Sequence, residues 1–178
     1  MLFRSIQNAI YAAKNNPYAV YIPAGNYIVK ELFIDNVHGI TLYGDRSGHD
    51  NQEGSCLIYT GTADCLTIKN TDDSQYSGFI YRVDIKNIAI FAAHACNSFI
   101  YAYKIQESTF YNIGLWNESP AIVSNGIILD GAGIIEIDNS TIESVSTGII
   151  IKYNQATGGN GGINITRNNI FKCVRSIE

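Results

Sequence analysis

Two acidic residues, Glu107 and Asp138, lie in repeated segments of the chain and are the strongest candidates for catalysis. Hydrolysis of a glycosidic bond by the common route uses two carboxyl groups, about 5–5.5 Å apart in retaining enzymes and roughly 6.5–9.5 Å apart in inverting ones. Elimination from a sugar acid needs a base near the C5 proton and a cation that stabilises the enolate. If the repeats stack, Glu107 and Asp138 become diagonal neighbours, so we predict that they are the catalytic residues. The alternative is that both are solvated charges on a ladder of polar side chains.

Aromatic residues near three predicted insertions are candidates for binding a substrate. Trp116 is the only tryptophan and lies close to Glu118, while Tyr76 and Tyr153 adjoin the other two insertions. Exposed aromatic rings stack on the faces of sugars, and a neighbouring carboxylate can orient sugar hydroxyls. We therefore predict that these four residues bind substrate. The alternative for Trp116 is that it packs its loop onto the coil or onto a partner subunit.

The histidines, the cysteines and the charge show no pattern typical of a metal, a cofactor or nucleic acid. The three histidines are scattered and the four cysteines form no CxxC pair, so we predict free thiols and no metal site. Calcium is expected only if the protein is a lyase. A net charge of −4 without a basic run argues against nucleic acid. No membrane span is expected, because no run of about 18 apolar residues occurs.

An internal repeat indicates the elements that must position these residues. An apolar residue, two polar residues of which the second is usually Asn, two small or polar residues and an apolar residue recur at 85–90, 105–110, 137–142 and 165–170. In a second column a small residue precedes an apolar strand, at Cys65, Ser98, Gly126, Gly148 and Ser176. Because the two columns alternate, we predict a parallel β-helix with two short strands in each coil.

Stacking of the coils predicts ladders of equivalent side chains, since neighbouring strands lie about 4.8 Å apart. The inward ladders are Ile85, Ile105, Ile137 and Ile165, and Ile90, Phe110, Ile142 and Ile170. A column of opposite charges is expected at Asp84, Lys104 and Glu136, and a polar corner that joins the coils through side-chain amides at Asn87, Glu107, Asn139 and Arg167.

The N-terminal region predicts a cap for this solenoid. Phe3, Ile6, Ile10 and Ala13 form one apolar stripe of a helix within residues 1–16, which would cover the open end of the first coil. The first coils are expected at 19–45 and the repeated coils at 56–178. Insertions at 71–78, 115–122 and 154–162 separate the strands, and such insertions tend to form the binding face.

The opening segment resembles that of β-helix domains of the pectate-lyase superfamily. The resemblance rests on the helix at 5–13, the segment Ile22-Pro23-Ala24-Gly25-Asn26-Tyr27 and the later Gly44-Asp45. The family usually has an Asp pair where this chain has Met1-Leu2. The superfamily includes polysaccharide lyases, pectinase-like glycosidases and viral tailspikes, and it implies an all-β, right-handed parallel β-helix. We expect one domain over 1–178, and the apparent stop within a coil suggests a fragment of a longer β-helix.

The resemblance implies three alternative functions, and the sequence fits each of them. The first is a carbohydrate-recognising module of tailspike or polysaccharide-depolymerase type, acting on a bacterial or extracellular glycan. The second is a complete pectate-lyase-like or pectinase-like enzyme. The third is a non-catalytic structural β-helix of a larger assembly, with a homotrimer as the expected oligomer. An extracellular or virion-surface location fits all three.

Overall fold

A computed structural model describes residues 5–14, 19–47, 54–71, 78–117, 123–152 and 161–178. Within these residues the chain forms one short helix and many short strands. The elements are α1 (Ile6–Ala13), β1 (Ala19–Ile22), β2 (Gly25–Val29), β3 (Leu32–Asp35), β4 (Thr41–Gly44), β5 (Ser55–Tyr59), β6 (Asp64–Lys69), β7 (Ile80–Tyr81), β8 (Asp84–Lys86), β9 (Ile88–Ala92), β10 (Cys96–Tyr103), β11 (Ile105–Tyr111), β12 (Gly114–Asn117), β13 (Val123–Asp130), β14 (Gly133–Asp138), β15 (Thr141–Glu143), β16 (Thr147–Lys152), β17 (Gly161–Thr166), β18 (Asn169–Phe171) and β19 (Arg175–Ile177).

The strands form three parallel sheets. Sheet A has the order β1-β4-β8-β11-β14-β17, with β7 also beside β11. Sheet B has the order β2-β5-β9-β12-β15-β18, and sheet C has the order β3-β6-β10-β13-β16-β19. The chain visits A, B and C in turn in each coil, and every strand pairs with its equivalent in the next coil. This is the predicted all-β, right-handed parallel β-helix.

The prediction of two strands per coil is wrong, because each coil contains three. The repeated Asn-containing segment belongs to two sheets: Ile85 lies in β8 of sheet A, and Ile90 lies in β9 of sheet B. Between them Asn87 has a φ of 56°, in the left-handed region that Asn tolerates better than most residues. One residue in this conformation is enough to bend the chain from one sheet into the next.

The predicted register of the fourth coil is wrong by five residues. Phe110, rather than Ile105, pairs with Ile85 and Ile137, and Leu115 takes the place expected for Phe110. Strand β11 is seven residues long and has an apolar residue at each of the two candidate positions, so the sequence pattern fits both registers. The predicted charge column is therefore interrupted, because Thr109 stands between Asp84 and Glu136.

Between the third and fourth coils the predicted corner of stacked amides is confirmed, with Asn112 in the place expected for Glu107. Asn87, Asn112, Asn139 and Arg167 follow the sheet A strands of four successive coils, and their φ angles are 56°, 50°, 50° and 52°. The Asn112 side-chain amide donates to Asn87 Oδ1 at 2.8 Å. The coils are thus joined at the corner by side chains as well as by backbone hydrogen bonds.

The second column starts one residue later than expected in the third coil. Since Leu66 pairs with Ile100, the residue aligned with Cys65 is Phe99 rather than Ser98. The small residues further along this column are required by packing. A Cβ atom on Gly126 would lie 2.8 Å from Ile142 Cγ2 and closer still to the carbonyl oxygen of Gly148.

Helix α1 is the predicted cap of the first coil. Ser5 Oγ accepts a hydrogen bond from the Asn8 amide at the helix start, and Ile10 is fully buried against the coil. The helix packs on β1 and β3, and the Gln7 side chain donates to Phe33 O at 2.9 Å and accepts from Phe33 N at 2.8 Å. Gln7 thereby satisfies the backbone N–H and C=O of one residue on an otherwise open strand edge. Phe3 of the predicted stripe lies outside the described residues.

The Gly44-Asp45 pair of the opening segment holds the first two coils together. Asp45 Oδ1 accepts a hydrogen bond from Tyr21 Oη at 2.6 Å, and Oδ2 accepts one from Ala24 N at 2.6 Å. Gly44 leaves no room for a side chain, since a Cβ atom there would lie 2.5 Å from Asn87 O. These contacts give a physical reason for this part of the sequence pattern.

Candidate functional site

The structure separates the two predicted catalytic residues. Asp138 pairs with Tyr111, and Glu107 lies four residues before Tyr111 on the same strand. At about 3.3 Å per residue this places the backbone positions of the two residues roughly 13 Å apart along the strand direction. That separation exceeds the range used by two-carboxylate glycosidases. The predicted diagonal contact is therefore wrong, and its cause is the five-residue register error in β11.

Asp138 holds two coils together. Its residue is only 3% exposed, and its carboxylate accepts hydrogen bonds from Arg167 Nε at 2.9 Å, from Arg167 Nη2 and from Thr166 Oγ1 at 2.9 Å. The hydrogen bond from Arg167 is the main cause that lowers the pKa of Asp138 below its ordinary value. The carboxylate is thus ionised and occupied by its own neighbours, which is the arrangement of a structural ion pair.

Trp116 lies in strand β12 rather than in a protruding insertion, so its predicted placement is wrong. It is 8% exposed and packs in a cluster with Cys56 and Ala89, and its ring lies 6.0 Å from that of Phe91. Its role in substrate binding stays a prediction. Glu118, Tyr76 and Tyr153, the other predicted binding residues, lie outside the described residues.

A second left-handed corner, near the start of the sheet A strands, positions Glu107. Backbone hydrogen bonds from Gly39 N to Tyr81 O and from Arg82 N to Gln106 O, both 2.9 Å, align the coils here. The five residues that occupy this corner in successive coils all have positive φ: Gly39 (70°), Arg82 (59°), Glu107 (52°), Ile134 (54°) and Gly162 (66°). For the three that are not glycine this conformation costs about 1–3 kcal/mol each. Strained positions of this kind are often functional.

The corner contains a pocket of about 330 Å³, lined by His38, Gly39, Tyr81, Arg82 and Glu107. Gly39 contributes no side chain, so the second coil leaves space beside the side chains of the third and fourth. Arg82 Nε, in the third coil, donates a hydrogen bond to Glu107 Oε2, in the fourth coil, at 3.0 Å. A pocket of this size suits a small ligand or one unit of a polymer.

His38 closes one side of the pocket as a neutral ring. Its Nδ1 accepts a hydrogen bond from the Tyr81 backbone N–H at 3.2 Å, so the ring proton is on Nε2, which is a donor. Burial lowers the pKa of His38, and this favours the neutral form. The rings of His38 and Tyr81 lie 6.2 Å apart. At neutral pH the pocket therefore combines a neutral imidazole, a tyrosine and one ion pair.

The ion pair in the pocket adds little to stability. The Arg82 and Glu107 side chains are 75% and 43% exposed, and pairs at such sites contribute about 0–1 kcal/mol. The strain at residues 82 and 107 is at least as large as this contribution. The pair is consequently better suited to hydrogen bonding with a ligand than to holding the coils together.

Sequence reasoning identified Glu107 but missed His38, Tyr81 and Arg82. These residues come from coils two and three, and only the correct register aligns them with Glu107. One signal was present: Gly39, Arg82 and Glu107 each begin the turn into a sheet A strand. That signal becomes visible once Phe110, and not Ile105, is aligned with Ile85.

Among the described residues, no three His, Cys, Asp or Glu side chains lie close enough to hold a metal ion. In the same part of the chain, no helix is long and apolar enough to cross a membrane. Calcium binding, which was expected only for a lyase, stays a prediction.

Comparison with known proteins identifies a family. No match was found among curated proteins. Among solved structures the chain is similar to "Geobacillus virus E2 - ORF18", with a TM-score of 0.61 and 19% identity, over 94% of this chain and 32% of that one. The chain thus spans about a third of that protein's length, and the likeness shows the fold alone. A family described as "Protein of unknown function (DUF1565)" matches residues 2–178, so the chain belongs to the DUF1565 family.

Proposed function

We propose that this β-helix is a carbohydrate-recognising module and that the corner pocket is its binding site. The observation that carries this proposal is the pocket itself, in which an aromatic ring and a largely exposed Arg82–Glu107 pair face one space of about 330 Å³. Sugar sites combine a flat apolar surface with a few polar groups that fix the hydroxyls. The pocket contains both.

The surroundings of the pocket suit a polymer rather than an isolated sugar. Tyr21, Tyr43, Lys86 and Tyr111 pair in sequence along sheet A, so they form one column across four coils. The Tyr21 and Tyr43 rings lie 5.1 Å apart, and both Tyr21 and Tyr111 are exposed. Such a column offers further rings on which successive sugar units can stack.

Recognition without cleavage fits the described residues better than hydrolysis. Glu107 is the one carboxylate among the described residues that line the pocket, and Asp138 lies roughly 13 Å away along the strand. The two-carboxylate route needs a second acid much closer than that. A lyase or glycosidase of the pectate-lyase superfamily remains the alternative proposal, because the opening segment resembles that superfamily.

The proposed setting is the surface of a virion or another extracellular structure. The similarity to a Geobacillus virus protein about three times as long supports this setting. A module that forms part of a longer β-helix, assembled as a homotrimer, would fit the same proposal. The mass of the full-length protein in solution, measured by light scattering, tests the trimer.

Titration of the protein with a panel of neutral and acidic polysaccharides tests the proposed function. We expect binding to at least one member, and we expect Arg82→Ala to weaken it about tenfold or more, a loss of about 1.4 kcal/mol. Arg175→Ala is the matched control, because Arg175 forms a similarly exposed ion pair with Glu178 at the far end of sheet C. It should bind as the native protein does.

Three outcomes of this titration would contradict the proposal. They are the absence of binding to every polysaccharide, equal losses in the two variants, and no loss in Arg82→Ala. New reducing ends or unsaturated sugar products in the same samples would favour the enzyme instead.

A further inference from the structure

We infer that the corner pocket selects uncharged sugar units and discriminates against sugar acids. The inference rests on the proposed function, because it concerns which glycan the same pocket takes. It follows from the charge balance, the hydrogen-bonding groups and the apolar side of the pocket.

The described residues that line the pocket have no net charge to offer an anionic ligand. The guanidinium of Arg82 is already compensated by Glu107, with Nε and Oε2 3.0 Å apart. His38 is neutral because its Nδ1 accepts the Tyr81 N–H and because burial lowers its pKa. A ligand carboxylate bound by Arg82 would therefore lie beside the Glu107 carboxylate, and like charges at such distances repel. A sugar acid gains one ionic contact and meets one repulsive contact.

The remaining polar groups of the ion pair match hydroxyls. Arg82 Nη1, Arg82 Nη2 and Glu107 Oε1 make no hydrogen bond to any of the described residues. Donors and an acceptor consequently lie side by side. A hydroxyl both donates and accepts, so neighbouring sugar hydroxyls can bond both members of the pair, whereas an ionised carboxylate only accepts.

An apolar surface adjoins the pair on the side of the next coil. Ile134 follows Glu107 in the corner column and is 59% exposed, although isoleucine strongly disfavours its positive φ of 54°. Gly162 follows Ile134, so the fifth coil presents one exposed apolar side chain and the sixth coil adds no side chain at this position. The C–H face of a pyranose can pack on Ile134 while its hydroxyls face Arg82 and Glu107.

Binding of two oligosaccharides that differ only in charge tests the inference. The probes are an oligomer of a neutral hexose and the corresponding uronate oligomer, with the same linkage and length, measured by calorimetry on the full chain. We expect the native protein to bind the neutral oligomer at least about tenfold more tightly. Glu107→Gln keeps the shape of the side chain and removes its charge, so it should reduce this ratio at least about fivefold, mainly by improving uronate binding. Glu178→Gln is the control and should keep the native ratio.

If Glu107→Gln does not fold, a second variant still tests the inference. Arg82→Gln leaves Glu107 uncompensated, so it should weaken uronate binding more than neutral binding. A native protein that binds the uronate equally well or better overturns the inference and leaves the proposed function standing. An unchanged ratio in both variants also overturns it. If neither probe nor any member of the polysaccharide panel binds, the proposed function and the inference are both overturned.

Discussion

Replacement of Gly126 by alanine tests the packing of the coils at a point where two backbones approach closely. The added Cβ atom would lie 2.8 Å from Ile142 Cγ2 and nearer still to the Gly148 carbonyl oxygen. The carbonyl belongs to the backbone of the next coil, which pairs with Gly126's own strand through β13 and β16. A backbone atom cannot move aside without shifting a strand, so the strain is not relieved by a change of rotamer.

The expected cost follows from similar cases of excess volume in a packed core. Such substitutions destabilise proteins by about 1–3 kcal/mol, and the backbone obstacle places this one at about 2 kcal/mol or more. For a chain of this size each kcal/mol lowers the melting temperature by about 2–4 °C, so a fall of about 4–8 °C is expected. The urea midpoint should fall with an unchanged slope.

Gly161→Ala is the matched control in the same solenoid. A Cβ atom on Gly161 would have no heavy atom within 4 Å, and its φ does not lie in the positive range. Alanine there should be neutral or stabilise the protein by up to about 1 kcal/mol, because it reduces the entropy of the unfolded chain. Thermal and urea unfolding followed by circular dichroism compares the two variants. Equal stability of the two, or a Gly126→Ala protein as stable as the native one, would refute the register of β13 and β16.

Two further predictions concern the dependence of stability on pH. The pKa of Asp138 is lowered by Arg167, so its contribution is present above the unfolded value of about 3.9 and is lost as the pH falls through the folded pKa. Between pH 5 and 3 the urea midpoint should fall less in Asp138→Asn than in the native protein, and parallel curves would contradict this account. Burial lowers the pKa of His38, so its contribution is present above about pH 6.5 and falls below it. His38→Asn, which can still accept the Tyr81 N–H, should lose less stability than the native protein between pH 7 and 5; an equal loss would show that His38 does not titrate in this range.

The sequence predicted the solenoid and its cap because both depend on local patterns. The apolar stripe of α1 and the recurrence of apolar residues around Asn87 and Asn139 are visible without any pairing information. The third strand of each coil was missed because a single left-handed residue separates sheet A from sheet B. From the sequence pattern alone, such a residue fits a turn after one strand as well as a corner between two strands.

The register of β11 decided how much of the site could be predicted. Ile105 and Phe110 both fit the apolar position of the repeat. Only the pairing of Phe110 with Ile85 and Ile137 shows which of the two registers is correct. With the wrong choice, Glu107 was placed beside Asp138 in the Asn corner. With the right one it joins Arg82, from another coil, at a pocket that no local pattern describes.

The central claim, that the pocket binds sugar, is tested most directly by mapping amide chemical shifts in a ¹⁵N-labelled sample. The sample would be titrated with whichever oligosaccharide binds most tightly. We expect the largest changes to cluster at residues 38–39, 81–82, 106–107 and 134, on one corner of coils two to five. Changes centred on Trp116 and the outer face of sheet B, or spread without a focus, would contradict it.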